Sequence, residues 1–331
     1  MTQPRLDVLC IGNAIVDIIA DCDDAFLERE GLTKGMMRLI DAEEATRLYD
    51  HMGPAREISG GSAGNTAAGV AALGGRAGFV GQVAPDQLGE FYRHDLTATG
   101  VEFTTAARDF GVPTARSMVL VTPDAHRTMN TFLGAAQLLP VDALDEAQIE
   151  GAKILYLEGY LWDPETPRYA MIKAIDVARN AGRKVAFTLS DSFCIDRHRD
   201  GFNGLIDGGR IDLLFANEAE IQALAGLAHF ESAVAAVRDK VETLVVTRSE
   251  KGAIAVSRGE RAEVRAEPVG RVVDTTGAGD LFAAGFLAGW TQERSLEESL
   301  RIGAIAAAEV ISHYGARPEK DLKALVAARL A

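Results

Sequence analysis

The 331-residue chain has only three cysteines, Cys10, Cys22 and Cys194, widely spaced and without a metal-ligand pattern. An odd set of this kind reads as reduced thiols of a cytoplasmic protein, packed as small hydrophobes. None of the six histidines pairs with another at zinc-site spacing, so they offer no metal centre. No uninterrupted apolar run approaches the roughly 20 residues of a membrane helix. The start, "MTQPRLDVLCIG", runs straight into a strand-like segment and lacks a signal-peptide layout. Positive charge is in deficit, with 34 Lys and Arg against 48 Asp and Glu, for a net charge of −14. That balance argues against non-specific binding to nucleic acid, whose phosphates repel it. Two motifs are also missing. There is no G-x-x-x-x-G-K-[ST] phosphate loop and no G-x-G-x-x-G after the first strand. P-loop enzymes are therefore set aside, and a dinucleotide dehydrogenase is weakened.

What is present is an ordinary globular composition, 47% hydrophobic and 25% charged, long enough to bury one large core with a smaller satellite. Short apolar runs at 7–12, 77–83, 153–159, 184–190, 211–217 and 242–249 alternate with helical stretches such as 62–74, 167–182 and 230–241. That rhythm predicts an α/β fold with a mostly parallel sheet covered on both faces. Ligands in such sheets lie at the carboxyl ends of the strands, which gives weight to Asn217 and Thr247. Residues 15–21 and 115–133 break the rhythm: both are rich in β-branched residues, and the second reads as a hairpin around "PDAH". They predict a small β lid, inserted through approximately 13–40 and 104–133 into a single domain, of the kind that excludes water from a reaction. The last third reads as helices over 278–292, 295–314 and 318–330.

Four clusters carry candidate chemistry. In "DTTGAGDLFAAGF", Gly277, Ala278 and Gly279 leave backbone amides accessible at the start of an apolar helix, whose positive dipole end suits a phosphate. Asp280 follows at the helix entrance, placed to take a proton beside a held phosphoryl group. An Asp cap after a glycine turn accounts for the same residues equally well. In "ISGGSAGNTAAG", Gly60 and Gly61 permit close approach, and Ser62 and Asn65 can bond hydroxyl groups; Asn13 and Asp17 in "GNAIVD" add an amide and a carboxylate. Such a mixture suits a polyhydroxylated ligand, although an N-cap and a turn charge explain Ser62 and Asp17 individually. Asn217 and Glu220 in "ANEAE" fit either an outer-sphere magnesium site or a capping box. Thr247, Ser249 and Gly252 in "VTRSEKG" suit a nucleotide's phosphates or ribose, or an ordinary turn.

Taken together, these clusters resemble the PfkB (ribokinase-like) family of carbohydrate and nucleoside kinases. "DTTGAGD" matches its C-terminal signature, "GGSAGN" with "VGQVAPDQLGEFYRHDLTATGV" its N-terminal one, and "NEAE" its N-x-x-E motif, in order from residue 7 to about 320. The resemblance implies a central sheet with a β lid, ATP and magnesium as cofactors, and phosphoryl transfer to a primary hydroxyl. It implies that Asp280 is the base and that Gly277 to Gly279 form the anion hole. Asn217 and Glu220 would tune magnesium and phosphate, and Thr247, Ser249 and Gly252 would line the ATP site. Asp17, Gly61, Ser62 and Asn65 would hold the acceptor's sugar, and Arg127 on the hairpin would reach the transferring phosphates. The stretch from 22 to 60, "LSDSFCIDR" and "SHYGARP" are similar to adenosine kinases within the family. That similarity would make Phe193 a stacking partner for a purine, with Met37 and Leu39 as the pocket's apolar wall. Adenosine is then the expected acceptor, with a free sugar or sugar acid (ribose, fructose, 2-keto-3-deoxygluconate) as the alternative and a non-catalytic nucleoside-binding regulator a weaker one. A monovalent cation such as K+ at Asp274 also occurs in the resembled family, as do both monomers and homodimers. Pro85, before Asp86, departs from the family pattern and alters only a local turn.

Overall fold

The computed structural model describes residues 4–124 and 126–331, so Ala125 in the expected turn lies outside the described residues. In chain order the strands are β1 (Leu6–Ile11), β2 (Ile15–Asp21), β3 (Met37–Leu39), β4 (Ala55–Gly60), β5 (Ala77–Val80), β6 (Glu102–Phe103) and β7 (Ala115–Val121). They continue as β8 (Arg127–Phe132), β9 (Ala152–Glu158), β10 (Lys184–Thr188), β11 (Leu213–Asn217), β12 (Thr243–Thr247), β13 (Ala253–Ser257) and β14 (Glu260–Val264). A nine-stranded sheet has the order β14-β13-β12-β11-β10-β9-β1-β5-β6, and a five-stranded sheet the order β3-β8-β7-β2-β4.

In the large sheet, neighbours from β6 to β12 run parallel, and β13 and β14 are added antiparallel at one edge. Its inner strands are buried along nearly their whole length, as in β9 and β11, because helices cover both faces. Alternate side chains divide between two cores. Val8 and Cys10 pack with Tyr156, Phe215 and Phe286 beneath the helices Ser62–Ala72 and Ala278–Thr291. Leu9 and Ile11 pack with Leu155, Met171 and Phe187 beneath Glu165–Asn180 and Ser192–Asp207. Each fully buried ring, such as Phe187 or Phe286, contributes about 2 kcal/mol through its removal from water. The sheet ends at one margin in the two-residue β6 and at the other in β14, "ERAEV", which is mostly exposed. No helix among the described residues is long and apolar enough to cross a membrane.

The second sheet pairs β2 with β7 and β3 with β8 in parallel, and β2 with β4 and β7 with β8 antiparallel. Its fifth strand, β4, comes from 55–60, outside the two segments expected to build it. The sequence "AREISG" has no apolar alternation, and its first three residues are exposed; pairing with β2 imposes the extended state. The β13–β14 hairpin was likewise not expected from the sequence. The two C-terminal helices are shorter than the pattern suggests, ending at Val310 and starting at Leu322.

Candidate active site

Both sheets meet at the carboxyl ends of the central strands, where the helix Ala278–Thr291 begins. Gly277 starts that helix in the left-handed region at φ 76°, and a Cβ there would lie 2.6 Å from the Cβ of Ala316, so any side chain would be both strained and crowded. The helix has no side-chain cap; its Ala278 amide donates to the Thr275 carbonyl at 3.2 Å, which leaves the amides of Gly277 and Gly279 as donors toward the site. Asp280 sits in that turn. Ser62 Oγ donates to its Oδ1 at 2.6 Å and Asn65 Nδ2 to its Oδ2 at 2.9 Å, while Thr66 Oγ1 donates to its main-chain carbonyl at 3.3 Å. Burial raises the Asp280 carboxyl above the ordinary range; the Ser62 and Asn65 hydrogen bonds and the charge of Arg317 partly offset it.

Opposite this turn lies one face of the five-stranded sheet. Asp17, Ser117, Thr131 and Leu39 are register partners in one row across β2, β7, β8 and β3. Ser117 and Thr131 share a hydroxyl hydrogen bond of 2.8 Å. Gly60 lies directly against Asp17, and a Cβ at Gly60 would overlap the carboxylate. Burial pushes Asp17 up to about 7, against the opposing charges of Arg317 and Arg127. Arg127 reaches from β8 to the "DTTGAGD" turn, where it forms a buried ion pair with Asp274 and donates from Nη1 to Thr276 Oγ1 at 3.2 Å. Asp274 also accepts from the amides of Thr276 at 3.0 Å and Gly315 at 2.9 Å. The Arg127 guanidinium thus supplies the positive charge beside the Asp274 carboxylate in this structure. Met37 and Leu39 are exposed on the edge strand β3.

Glu158, at the end of β9, was not singled out from the sequence, although a carboxylate closing the buried run "KILYLEG" was a usable signal. It accepts from the amide and Nδ2 of Asn13 and from the amide of Ala63, each at 2.7 Å. Burial raises it to about 7, and those three donors limit the rise. Asn13 and Asn65 thus spend their NH2 groups on carboxylates, and the buried Oδ1 of each has no partner. Two free acceptor oxygens are what hydroxyl groups of a ligand require.

Along the sheet edge, Asn217 and Glu220 form a reciprocal capping box, in which both Glu220 oxygens accept from Asn217. Glu220 is raised to about 7, mainly by burial. Thr247 is the register partner of Asn217, three strands from β9 or about 14 Å away at ordinary strand spacing. Ser249 opens a 3-10 turn at φ 51°, and Gly252 closes it against Val264. Thr247, Ser249 and Gly252 have no hydrogen bond to Asp280 or its partners among the described residues. Phe193 is not a core aromatic: it is 67% exposed, in the first turn of the helix Ser192–Asp207, where Asp191 caps the amide of Cys194. Tyr160 braces the preceding loop by donating to the carbonyl of Ser190 at 3.2 Å, and Ser190 itself stands at φ 73°.

Opposite pH trends in stability and turnover follow from these carboxyls. Asp17, Glu158 and Glu220 titrate near 7 in the folded chain, against ordinary values of 3.8 and 4.5. Their protonated forms therefore favour the fold fully below about pH 4, and that contribution is lost as the pH rises to about 7. Tm should fall between those limits while kcat/KM rises, because a proton acceptor must be ionised. A Tm that climbs across the same interval would contradict the buried titrations.

The profile described as pfkB family carbohydrate kinase matches residues 6–322. A crystal structure of adenosine kinase from Sinorhizobium meliloti is 51% identical and superposes with a TM-score of 0.91, covering 98% of this chain and 99% of that one. A probable sugar kinase protein from Rhizobium etli CFN 42 is 48% identical with a TM-score of 0.92, covering 99% of both chains. The adenosine kinase of Saccharomyces cerevisiae is 26% identical over 95% of this chain and 96% of its own length.

Proposed function

This chain belongs to the pfkB family of carbohydrate kinases and is an ATP-dependent phosphotransferase, and from that premise we propose that it phosphorylates the primary hydroxyl of adenosine to give AMP. The observation that carries the reading is Asp280, held by Ser62 and Asn65 at the mouth of an uncapped helix. The acceptor hydroxyl takes the place of one of those donors, and Asp280 receives its proton as the oxygen attacks the γ-phosphorus of ATP, whose bond to the bridging oxygen breaks to release ADP. The amides of Gly277 and Gly279 stabilise charge on the transferring group, while that of Ala278 is bonded to the Thr275 carbonyl. Asp17 and the free Oδ1 atoms of Asn13 and Asn65 accept from the ribose hydroxyls, and glycine at 60 and 61 leaves room for the Asp17 carboxylate and the Asn13 carbonyl.

Arg127 swings from Asp274 toward the phosphates, and the five-stranded sheet serves as the lid. Thr247, Ser249 and Gly252 line the nucleotide. Magnesium, when bound with ATP, neutralises phosphate charge. Asn217 and Glu220 fit it only through water, since both Glu220 oxygens are taken and no group of three metal-binding side chains occurs among the described residues. The free cysteines, Cys10 and Cys194 buried among them, suit a reducing cytoplasm.

The exposed ring of Phe193 stacks on the purine, with Met37 and Leu39 as apolar neighbours. Phe193→Ala should raise the KM for adenosine by roughly tenfold or more, the cost of one lost base stack, with little change for ATP. Equal effects on the two substrates would remove Phe193 from the acceptor pocket. A free sugar or sugar acid is the second reading, favoured by the similarity to the Rhizobium protein. ADP release with ATP and magnesium, measured against adenosine, ribose, fructose and 2-keto-3-deoxygluconate, decides between the two. Turnover of a sugar and none of adenosine overturns the first.

A further inference from the structure

Arg317, in the loop after the helix Leu296–Val310, makes an unusual set of contacts for a cation. Its guanidinium donates from Nε at 3.0 Å and from Nη2 to the carbonyl of Ser59, from Nη2 to Ser59 Oγ at 3.0 Å, and from Nη1 to the carbonyl of Gly64 at 2.8 Å. Every one of these acceptors is neutral. Ser59 lies at the end of β4, and Gly64 in the first turn of the helix that carries Ser62 and Asn65. One rigid fork therefore spans the corner where the lid sheet runs into the acceptor helix. The same corner is pinned by Asp95, which accepts from the amide of Ser59 at 2.8 Å, and by Tyr92, which donates to the carbonyl of Gly60 at 3.1 Å. Gly60 in turn abuts the Asp17 carboxylate.

The charge of Arg317 is directed at the site as well. The ionisable groups facing it are Tyr92 and Asp95 from the helix Gln87–Ala98, Asp17 from β2, and Asp280. Arg317 is the leading cation acting on Asp17, ahead of Arg127, while Asp280 and Asp274 oppose both. On Asp280 it acts beside the neutral donors Ser62 and Asn65.

We propose that Arg317 is the positioning residue of the acceptor site: it fixes the β4–helix corner so that Asp17, Ser62 and Asn65 converge on the acceptor. The inference rests on the acceptor reading above only for the choice of probe. It requires an arginine, because a lysine carries the charge but cannot bridge two carbonyls with a planar fork.

The test compares full-length Arg317→Gln and Arg317→Lys with wild type, measuring KM for adenosine and for ATP and the pH profile of kcat/KM. The glutamine variant should raise the KM for adenosine by about tenfold or more while the KM for ATP stays within about twofold, a geometric loss confined to one substrate. Its acid limb should move upward by about one pH unit, because carboxyls deprived of a neighbouring cation ionise at higher pH. The lysine variant should restore the acid limb and retain the raised KM. An unchanged KM for adenosine, or equal rises for both substrates with an unmoved acid limb, overturns the proposal. If the glutamine variant does not fold, the lysine variant decides alone: a wild-type KM for adenosine refutes the clamp. Wild type that ignores adenosine but phosphorylates fructose defeats the acceptor reading instead, and the same comparison is then made with fructose.

Discussion

Asp280→Asn is expected to lower kcat by about 10³-fold, within the range that a positioned base contributes, while ATP still binds. The substitution keeps the size of the side chain and removes only its ability to take a proton. Both carboxylate oxygens now accept hydrogen bonds, from Ser62 at 2.6 Å and Asn65 at 2.9 Å. The amide NH2 of the variant will oppose one of those donors, so the local geometry shifts slightly. Stability should not suffer, because burial already disfavours the charged form of Asp280. Single-turnover kinetics with an independent measurement of ATP binding check the result. A fall in kcat smaller than about tenfold would remove Asp280 from the role of base.

Arg127→Met should have the second-largest effect, and it acts on two quantities at once. Loss of a cation from the transferring phosphates is expected to lower kcat by about 10³-fold, as for other arginines that stabilise this charge. The same change leaves Asp274, whose side chain is 1% exposed, without its counter-charge. Removing one partner of such a buried pair costs about 3 to 5 kcal/mol of stability. Arg127→Met combined with Asp274→Asn separates the two effects. The double variant should regain much of the lost Tm and none of the lost kcat. Recovery of turnover in the double variant would mean that Arg127 serves only the ion pair.

The parts of the site that were legible in the sequence are those that signal locally. "DTTGAGD" stands out within a single turn, because glycine backbone, a helix start and a carboxylate are adjacent in the chain. The alternation of apolar strands and helices likewise gave the large sheet, since covering both faces leaves a mark on every strand. What escaped notice depends on distant partners. Arg317 bonds Ser59 across 258 positions, and nothing in "GARP" announces it. Glu158 becomes meaningful only once Asn13 and Ala63 are folded against it. The strand β4 reads as a charged connection until β2 lies beside it. Phe193 was ambiguous for a different reason: a lone aromatic has no period, and only its 67% exposure separates a binding surface from a core residue.

The margins of the nine-stranded sheet bear on how these chains behave at high concentration. A two-residue strand at one end gives an incoming segment too little length to zip onto, and the glutamates and arginine of the other end repel or solvate whatever approaches. Cross-strand stacking from one copy to the next is thereby discouraged on both flanks. Concentrated solutions of the folded protein should therefore show no strand pairing through the margins of the nine-stranded sheet.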